Sequence, residues 1–132
     1  MEEAVFDFRE EHSRMFGKVK RPVADVEISK GQNNLTMSFY VDSGADLTLI
    51  PKSLGDSLGL ESDTKDIKEV QGVGARQIPV VLRKVNIRIG KKELEAEVAW
   101  SLIEDVPLLL GRKDIFDKFE ISFKDNKTFF RY

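Results

Sequence analysis

Cysteine is absent from this sequence of 132 residues, and histidine and tryptophan occur once each, as His12 and Trp100. Without a thiol there is no disulfide, no cysteine nucleophile and no thiolate metal site, and the chain is compatible with a reducing compartment. A serine–histidine triad would have to rest on His12 alone, in a polar N-terminal stretch where a solvated surface residue is expected. A zinc site has too few ligands for the same reason. No apolar run approaches the roughly 20 residues a membrane helix needs; none is longer than Val106 to Leu110, which passes through Pro107. Met1-Glu2-Glu3 has neither the basic region nor the apolar stretch of a secretory signal. Positive charge is not in excess either. Lys and Arg number 21 against 23 Asp and Glu, for a net charge of -2 and a pI near 5.5. Nucleic-acid binding through phosphates needs a clear basic surplus, so that partner is not expected. Lys18, Lys20 and Arg21, near Arg14, form a short basic stretch that fits a solvated strand face. The absences point to a cytoplasmic, soluble protein with no membrane partner, no metal and no cofactor.

What is present suffices for one core. Hydrophobic residues make up 41% and charged residues 33%, and at this length one domain over residues 1–132 is expected, with residues 1–15 as an N-terminal extension. That extension mixes Glu2, Glu3, Val5, Phe6, Phe8, Glu10 and Glu11, and its periodicity fits a short helix or an extra edge strand equally well. From Phe16 the pattern is strand-like. Val19, Val23, Val26 and Ile28 are β-branched, Lys30 to Asn34 carries turn chemistry, and Leu35 to Val41 returns as a second strand. Leu47 to Ile50 is a short strand stopped by Pro51, and a small helix follows, with Leu54 and Leu58 at i, i+4 and Gly59 at its end.

Ile67 to Gln71 and Ile78 to Ile89 read as strands around Gly72-Val73-Gly74-Ala75. After the turn at Arg88 to Lys92, Leu94, Ala96, Val98 and Trp100 share one face of another strand. Leu108 to Leu110 is a buried strand, Arg112 to Phe119 has a helical pattern, and Glu120 to Tyr132 closes as a hairpin over Asp125-Asn126-Lys127. Many short strands with one or two short helices make a small barrel or sandwich. Trp100 and the phenylalanines at 116, 119, 129 and 130 belong to core or interface rather than to a binding platform.

The chemistry concentrates in Phe39-Tyr40-Val41-Asp42-Ser43-Gly44-Ala45-Asp46-Leu47-Thr48-Leu49-Ile50. A carboxylate ends an apolar strand, a small hydroxyl residue follows, and Gly44 permits a sharp turn and close approach of backbone to a ligand. In isolation Asp-Ser-Gly is an ordinary turn. The second segment, Val106-Pro107-Leu108-Leu109-Leu110-Gly111-Arg112, gives it meaning. Gly72-Val73-Gly74 has part of a dinucleotide-binding pattern, but Ile78-Pro79-Val80 follows where a helix would have to start. Asp42 and Asp46 lack the ligand spacing of a calcium loop. Glu104 and Asp105 precede the second segment, either as solvated loop residues or as a preference for basic side chains.

Apolar-apolar-Asp-Ser-Gly-Ala, a glycine-bearing hairpin, then apolar-apolar-Gly-Arg resembles the retropepsins, the retroviral-type aspartic proteases, from about Lys20 to just beyond Arg112. The approach through Lys20-Arg21-Pro22-Val23 is similar too. Ile50-Pro51-Lys52-Ser53-Leu54 leading to Leu58-Gly59-Leu60 looks closer to prokaryotic retropepsin-like proteins than to the viral enzymes. The resemblance implies an all-β fold, a small closed acid-protease barrel with a flap hairpin. It makes Asp42 the catalytic aspartate, with Ser43 bonding to its counterpart in a partner subunit and Gly44 offering backbone to substrate. Gly44, Ala45, Asp46, Val73, Gly74, Val106, Pro107 and Leu109 would contact substrate, Val73 and Gly74 from the flap tip. Asp46 and Arg112 match an ion pair that braces the loop, and Arg21 matches an arginine that reaches across a dimer. Ser43 stands where threonine is commoner, and Lys113 where the viral enzymes carry Asn or Asp. The segment before Phe16 and the C-terminal hairpin have no viral counterpart.

Such enzymes use two carboxylates that share one proton, because like charges about 3 Å apart do not both ionise. This chain has one such motif. The resemblance therefore implies an aspartic endopeptidase active only as a homodimer on peptide or protein substrates. The alternative keeps the fold and loses the catalysis, as a silent peptide-binding or dimerisation module.

Overall fold

The computed structural model describes residues 1–71 and 76–132. The expected flap tip, including Val73 and Gly74, lies outside the described residues. Strands dominate, and where alternation is clearest in the sequence it is also clearest in the structure. In β4 (Val23–Lys30) the side chains of Ala24, Val26 and Ile28 are buried while Asp25 is exposed. A two-residue turn over Gly31 and Gln32, with Gly31 at φ +59, returns the chain as β5 (Asn33–Val41). The short strand β6 (Thr48–Ile50) is buried throughout. Helix α1 (Lys52–Ser57) follows, burying Leu54, and Leu58 is buried just beyond it. Gly59 at φ +77 reverses the chain at its end. The Glu104 carboxylate caps the start of this helix, accepting from Ser53 N at 2.8 Å. That contact fixes Glu104 as a structural group and draws its carboxyl below the usual carboxylate range, through its hydrogen bonds with Ser53.

The hairpin strands β7 (Lys68–Gln71) and β8 (Gln77–Ile89) pair across the undescribed residues. Strand β8 turns at Gly90 into β9 (Lys92–Ser101), where Ala96, Val98 and Trp100 are buried as the shared face requires. The short β10 (Leu109–Leu110) closes the set. Neighbours run β4-β5-β10-β6-β9-β8, and β8 pairs back onto β4 through Glu27 to Ser29. A six-stranded closed barrel results, with β7 paired to the start of β8, Gln77 to Val80, on the edge whose far end meets β4. Closure abolishes the exposed edges that an open sheet of this size would carry. Ile28, Phe39, Ile50, Ile87, Val98, Trp100 and Leu110 fill the interior.

The N-terminal segment is strand rather than helix: β1 (Glu3–Asp7) and β2 (Arg9–Ser13). Among the described residues, strand β2 pairs only with β3 (Gly17–Arg21), forming a separate hairpin. Strand β1 joins β11 (Glu120–Lys124) and β12 (Lys127–Arg131) in a sheet that ties the two chain ends together, Glu3 opposite Arg131. The β11–β12 turn uses Asp125 and Asn126 at φ +54 and +59, the left-handed pair that a two-residue hairpin favours. Phe130 is fully buried, edge-on to Phe6 and Phe119.

One expectation fails. Arg112 to Phe119 is a series of turns, not a helix. Asp114 adopts φ +66, which breaks helical propagation, and its Oδ2 accepts from Glu97 N at 3.0 Å. A tertiary bond to β9 wins over local helix propensity. No helix among the described residues is long and apolar enough to cross a membrane.

Candidate active site

Asp42 stands where β5 leaves the barrel. Tyr40 N donates to the Leu108 carbonyl at 2.9 Å, Val41 N to Pro22 at 3.1 Å and Asp42 N to Leu110 at 3.1 Å. These bonds fix the direction in which the strand delivers its terminal carboxylate. The chain then turns back at once: Gly44 N donates to Asp42 Oδ1 at 2.9 Å, and Ala45 N to the Asp42 carbonyl at 3.2 Å. This is an Asx-type turn, in which the side chain orders its own loop. Asp42 is half-buried, while Ser43 and Gly44 are exposed.

The loop is held from behind by the segment after β10. Arg112 N donates to the Ala45 carbonyl and Lys113 N to the Asp46 carbonyl, both at 2.9 Å. Gly111 N donates to Oγ1 of Thr48, a fully buried hydroxyl, at 3.0 Å. Gly111 also lies hard against Leu47. A Cβ there would sit 2.3 Å from the Leu47 carbonyl carbon, so only glycine permits this crossing of two backbones. Arg112 Nη2 pairs with Asp46 Oδ1, and Nη1 donates to the Ser43 carbonyl at 2.8 Å.

A groove opens on both sides of Asp42. One part, about 480 Å³, is lined by Glu11, Arg21, Pro22, Tyr40, Asp42, Pro107 and Leu109. The other, about 350 Å³, is lined by Asp42, Gly44, Ala45, Leu49, Val70, Gln71, Ile78, Pro107 and Leu109. A smaller recess beside it adds Asp46 and Leu47. Asp42, Gly44, Ala45, Asp46, Pro107 and Leu109 are thus brought together around one opening. Val106 packs against the cluster of Leu49, Ile78, Val80 and Ala99. Arg21 reaches the groove, with its Nε 2.9 Å from Glu11 Oε1.

The sequence spans 24–113 match the aspartyl protease family. The chain belongs to that family. Among solved structures it is similar to a retropepsin-like aspartic protease from Rickettsia conorii, at 17% identity and a TM-score of 0.61, over 98% of this chain and 91% of that one. It is also similar to EIAV protease complexed with an inhibitor, at 23% identity and a TM-score of 0.59, over 75% of this chain and 88% of that one. The fold is therefore that of the retropepsins. No curated protein matches in sequence.

In this member of the aspartyl protease family, several lining residues escaped the sequence reading, among them Glu11, Pro22, Tyr40, Val70, Gln71 and Ile78. Tyr40 was the one with a visible signal, a polar-tipped residue in an otherwise apolar strand end. Its hydroxyl donates to Glu11 Oε2 at 2.5 Å, and Arg9 Nε donates to the same oxygen at 2.9 Å. The Tyr40 hydroxyl, and then the Arg9 guanidinium, hold the Glu11 carboxyl below its ordinary range. A depressed carboxyl stabilises above its unfolded-state value and loses that contribution as pH falls through the folded value. The link between β2 and the groove therefore persists into mildly acidic solution and weakens only below the ordinary carboxylate range.

Thr48 was missed as well, and it bears on what braces the loop. The Asp46 side chain is 88% exposed and that of Arg112 49% exposed, and exposed pairs contribute about 1 kcal/mol at most. Buried Gly111 N, deprived of its acceptor, costs roughly 1–3 kcal/mol. Thr48→Val is accordingly expected to lower stability more than Arg112→Ala, and Thr48→Ser to restore most of the loss. Denaturant midpoints of the three variants check the order; a larger loss in Arg112→Ala would mean the ion pair is the principal brace.

Proposed function

We propose that this protein is an aspartic endopeptidase that works as a two-fold homodimer, each chain giving one Asp42. The observation that carries the reading is a half-buried carboxylate, delivered by strand and Asx turn to the middle of an open groove. One such group cannot do the chemistry. In the paired site one carboxylate takes a proton from water while the other, protonated, donates to the scissile carbonyl oxygen. The hydroxyl adds to the carbonyl carbon, and the tetrahedral intermediate collapses with the proton passing to the leaving amine.

Two other carboxylates line the groove among the described residues: Asp46 is paired with Arg112, and Glu11 is unsuited to complete the pair within one chain. Three donors, from Tyr40, Arg9 and Arg21, converge on its two oxygens, and they keep it ionised. A second Asp42 is the partner with matching surroundings. In that dimer Ser43 would bond across to its counterpart. Substrate would lie extended in the groove, with Gly44, Ala45 and Asp46 on its floor and Pro107 and Leu109 on its walls. By the family resemblance, the flap to which Val73 and Gly74 are assigned would close over it and bond the peptide backbone as an added strand.

A diverse peptide pool incubated with the purified protein from pH 3 to 7 tests this, beside a measurement of solution mass. Cleavage with a bell-shaped profile peaking on the acidic side, by a dimer, is expected. A strict monomer at micromolar concentration that cleaves nothing would favour a silent peptide-binding module.

A further inference from the structure

We infer that Tyr40 and Glu11 determine specificity: together they hold the β2–β3 hairpin in place as the outer wall of a subsite for a large side chain of the peptide. The inference rests on the peptidase reading for its ligand class, whereas the wall itself rests on side-chain geometry.

Period-two burial gives the hairpin two unlike faces. Arg9, Glu11, Ser13 and Val19 are half-buried, while Glu10, His12, Lys18 and Lys20 are exposed. The half-buried face belongs to the groove, since Glu11 shares with Tyr40 and Asp42 the lining of the cavity of about 480 Å³. Ligand pockets span about 300–1,000 Å³, so a large side chain fits. Glu11 and Arg21 meet at 2.9 Å and cancel each other's charge. Pro22, Pro107 and Leu109 are apolar. An uncharged side chain therefore suits this space.

The hairpin is the wall that needs holding. It is a separate two-stranded sheet, and such a pair is at best marginally stable by itself. Its base is tied on both sides. Phe8 N donates to the Asn126 carbonyl at 2.8 Å, and the Pro22 carbonyl accepts from Val41 N at 3.1 Å. Its tip stands in solvent, with Met15 82% and Phe16 74% exposed. Between base and tip, among the described residues, one side-chain hydrogen bond joins the hairpin strands to the barrel. It runs from the Tyr40 hydroxyl to Glu11 Oε2 at 2.5 Å.

That bond is charge-assisted, and the Glu11 side chain is only 23% exposed, so water competes for it weakly. Arg9 completes the clamp. Its Nε donates to the same oxygen at 2.9 Å, and its guanidinium lies 4.8 Å from the Tyr40 ring centroid. Arg21 meets the other oxygen, Oε1, so the clamp does not depend on where that guanidinium goes. Tyr40 stands two residues before Asp42, and the anchor of the wall is thereby built into the strand that delivers the carboxylate. Glu11 is a positioning residue that acts through Tyr40.

The test compares Phe with Ala at each position of an otherwise constant labelled peptide, bound to Asp42→Asn protein. At one position Phe is expected to bind at least about tenfold more tightly, the value of burying a large apolar side chain. Tyr40→Phe keeps the ring under Arg9 and removes the anchor. In the Asp42→Asn background it is expected to bring the ratio at that position to about twofold, as is Glu11→Ala. Glu11→Gln, whose amide oxygen still accepts from the hydroxyl, keeps most of the preference. In protein with Asp42 intact, Tyr40→Phe raises KM for the Phe peptide about fivefold and changes kcat less.

Solution mass is recorded for each variant. A Tyr40→Phe protein that stays dimeric and loses the preference at that one position supports the subsite. A preference unchanged in Tyr40→Phe, one lowered equally at every position, a variant that falls to monomers, or no peptide bound at all overturns it. Selective binding that depends on Tyr40, without any cleavage, would sink the peptidase reading and leave the subsite standing. Cleavage whose preference ignores Tyr40 and Glu11 would do the reverse.

Discussion

Asp42→Asn chains mixed with an equal amount of wild-type, at fixed total protein and after subunit exchange, are expected to leave about a quarter of the wild-type peptidase activity. Random pairing of two kinds of chain makes one dimer in four wholly wild-type. The Asp42→Asn homodimer by itself should lose roughly 10²–10⁴-fold in kcat or more, since it lacks the group that exchanges protons with water and carbonyl. Amide and carboxylate are nearly the same size, and the amide oxygen still accepts from Gly44 N, so the loop keeps its shape and solution mass should not change. The mixture is the more discriminating experiment. Chains that act singly would retain half of the activity at equal mixing, and a value near one half would overturn the shared site. The substitution is also the cleanest way to hold peptide in place without turnover, as a mixed or fully inactive dimer.

The second large effect is structural. Gly111→Ala would put a Cβ 2.3 Å from the Leu47 carbonyl carbon, 2.4 Å from its oxygen and 2.8 Å from Thr48 N. All three neighbours are backbone, and none swings away as a side-chain tip would. Overpacking of a well-filled site costs typically 1–3 kcal/mol, and this contact belongs at or above the top of that range. The bonds endangered are those that hold the Asp42 loop: Gly111 N to Thr48 Oγ1, Arg112 N to Ala45 and Lys113 N to Asp46. Urea unfolding should show a midpoint lowered by about 1–2 M at an unchanged slope, and activity should fall even where the protein remains folded. Wild-type stability would mean that the two segments do not cross as closely as described.

Legibility in the sequence followed the range of the interaction. Strands β4, β5, β8 and β9 repeat apolar residues every second position, a pattern visible within one short window, and each formed where expected. Helix α1 was legible from Pro51, the Leu54–Leu58 spacing and Gly59. The Asp42 loop and Leu109–Arg112 were legible as a pair only through resemblance to a family, since nothing local relates segments so far apart. Residues 112–119 misled because their helical pattern was the local optimum, whereas Asp114 was drawn to Glu97 on another strand. The N-terminal segment was undecided because the partner of β1 is β12, at the other end of the chain.

The sequence by itself determined the chemistry available: one Asp-Ser-Gly, no thiol, one histidine, and the glycines at which backbone must turn or touch. Period-two alternation determined a domain of short strands, a small barrel or sandwich, because burial on one face of a strand is a property of the strand alone; the barrel itself was implied by the resemblance to the retropepsins. Only the tertiary structure decided what surrounds Asp42. It brought Glu11 and Arg21 to one side of the groove and Val70 and Ile78 to the other, and it placed Thr48 Oγ1 under Gly111. These contacts depend on how barrel closure juxtaposes strands distant in sequence, and side-chain period carries no record of that juxtaposition.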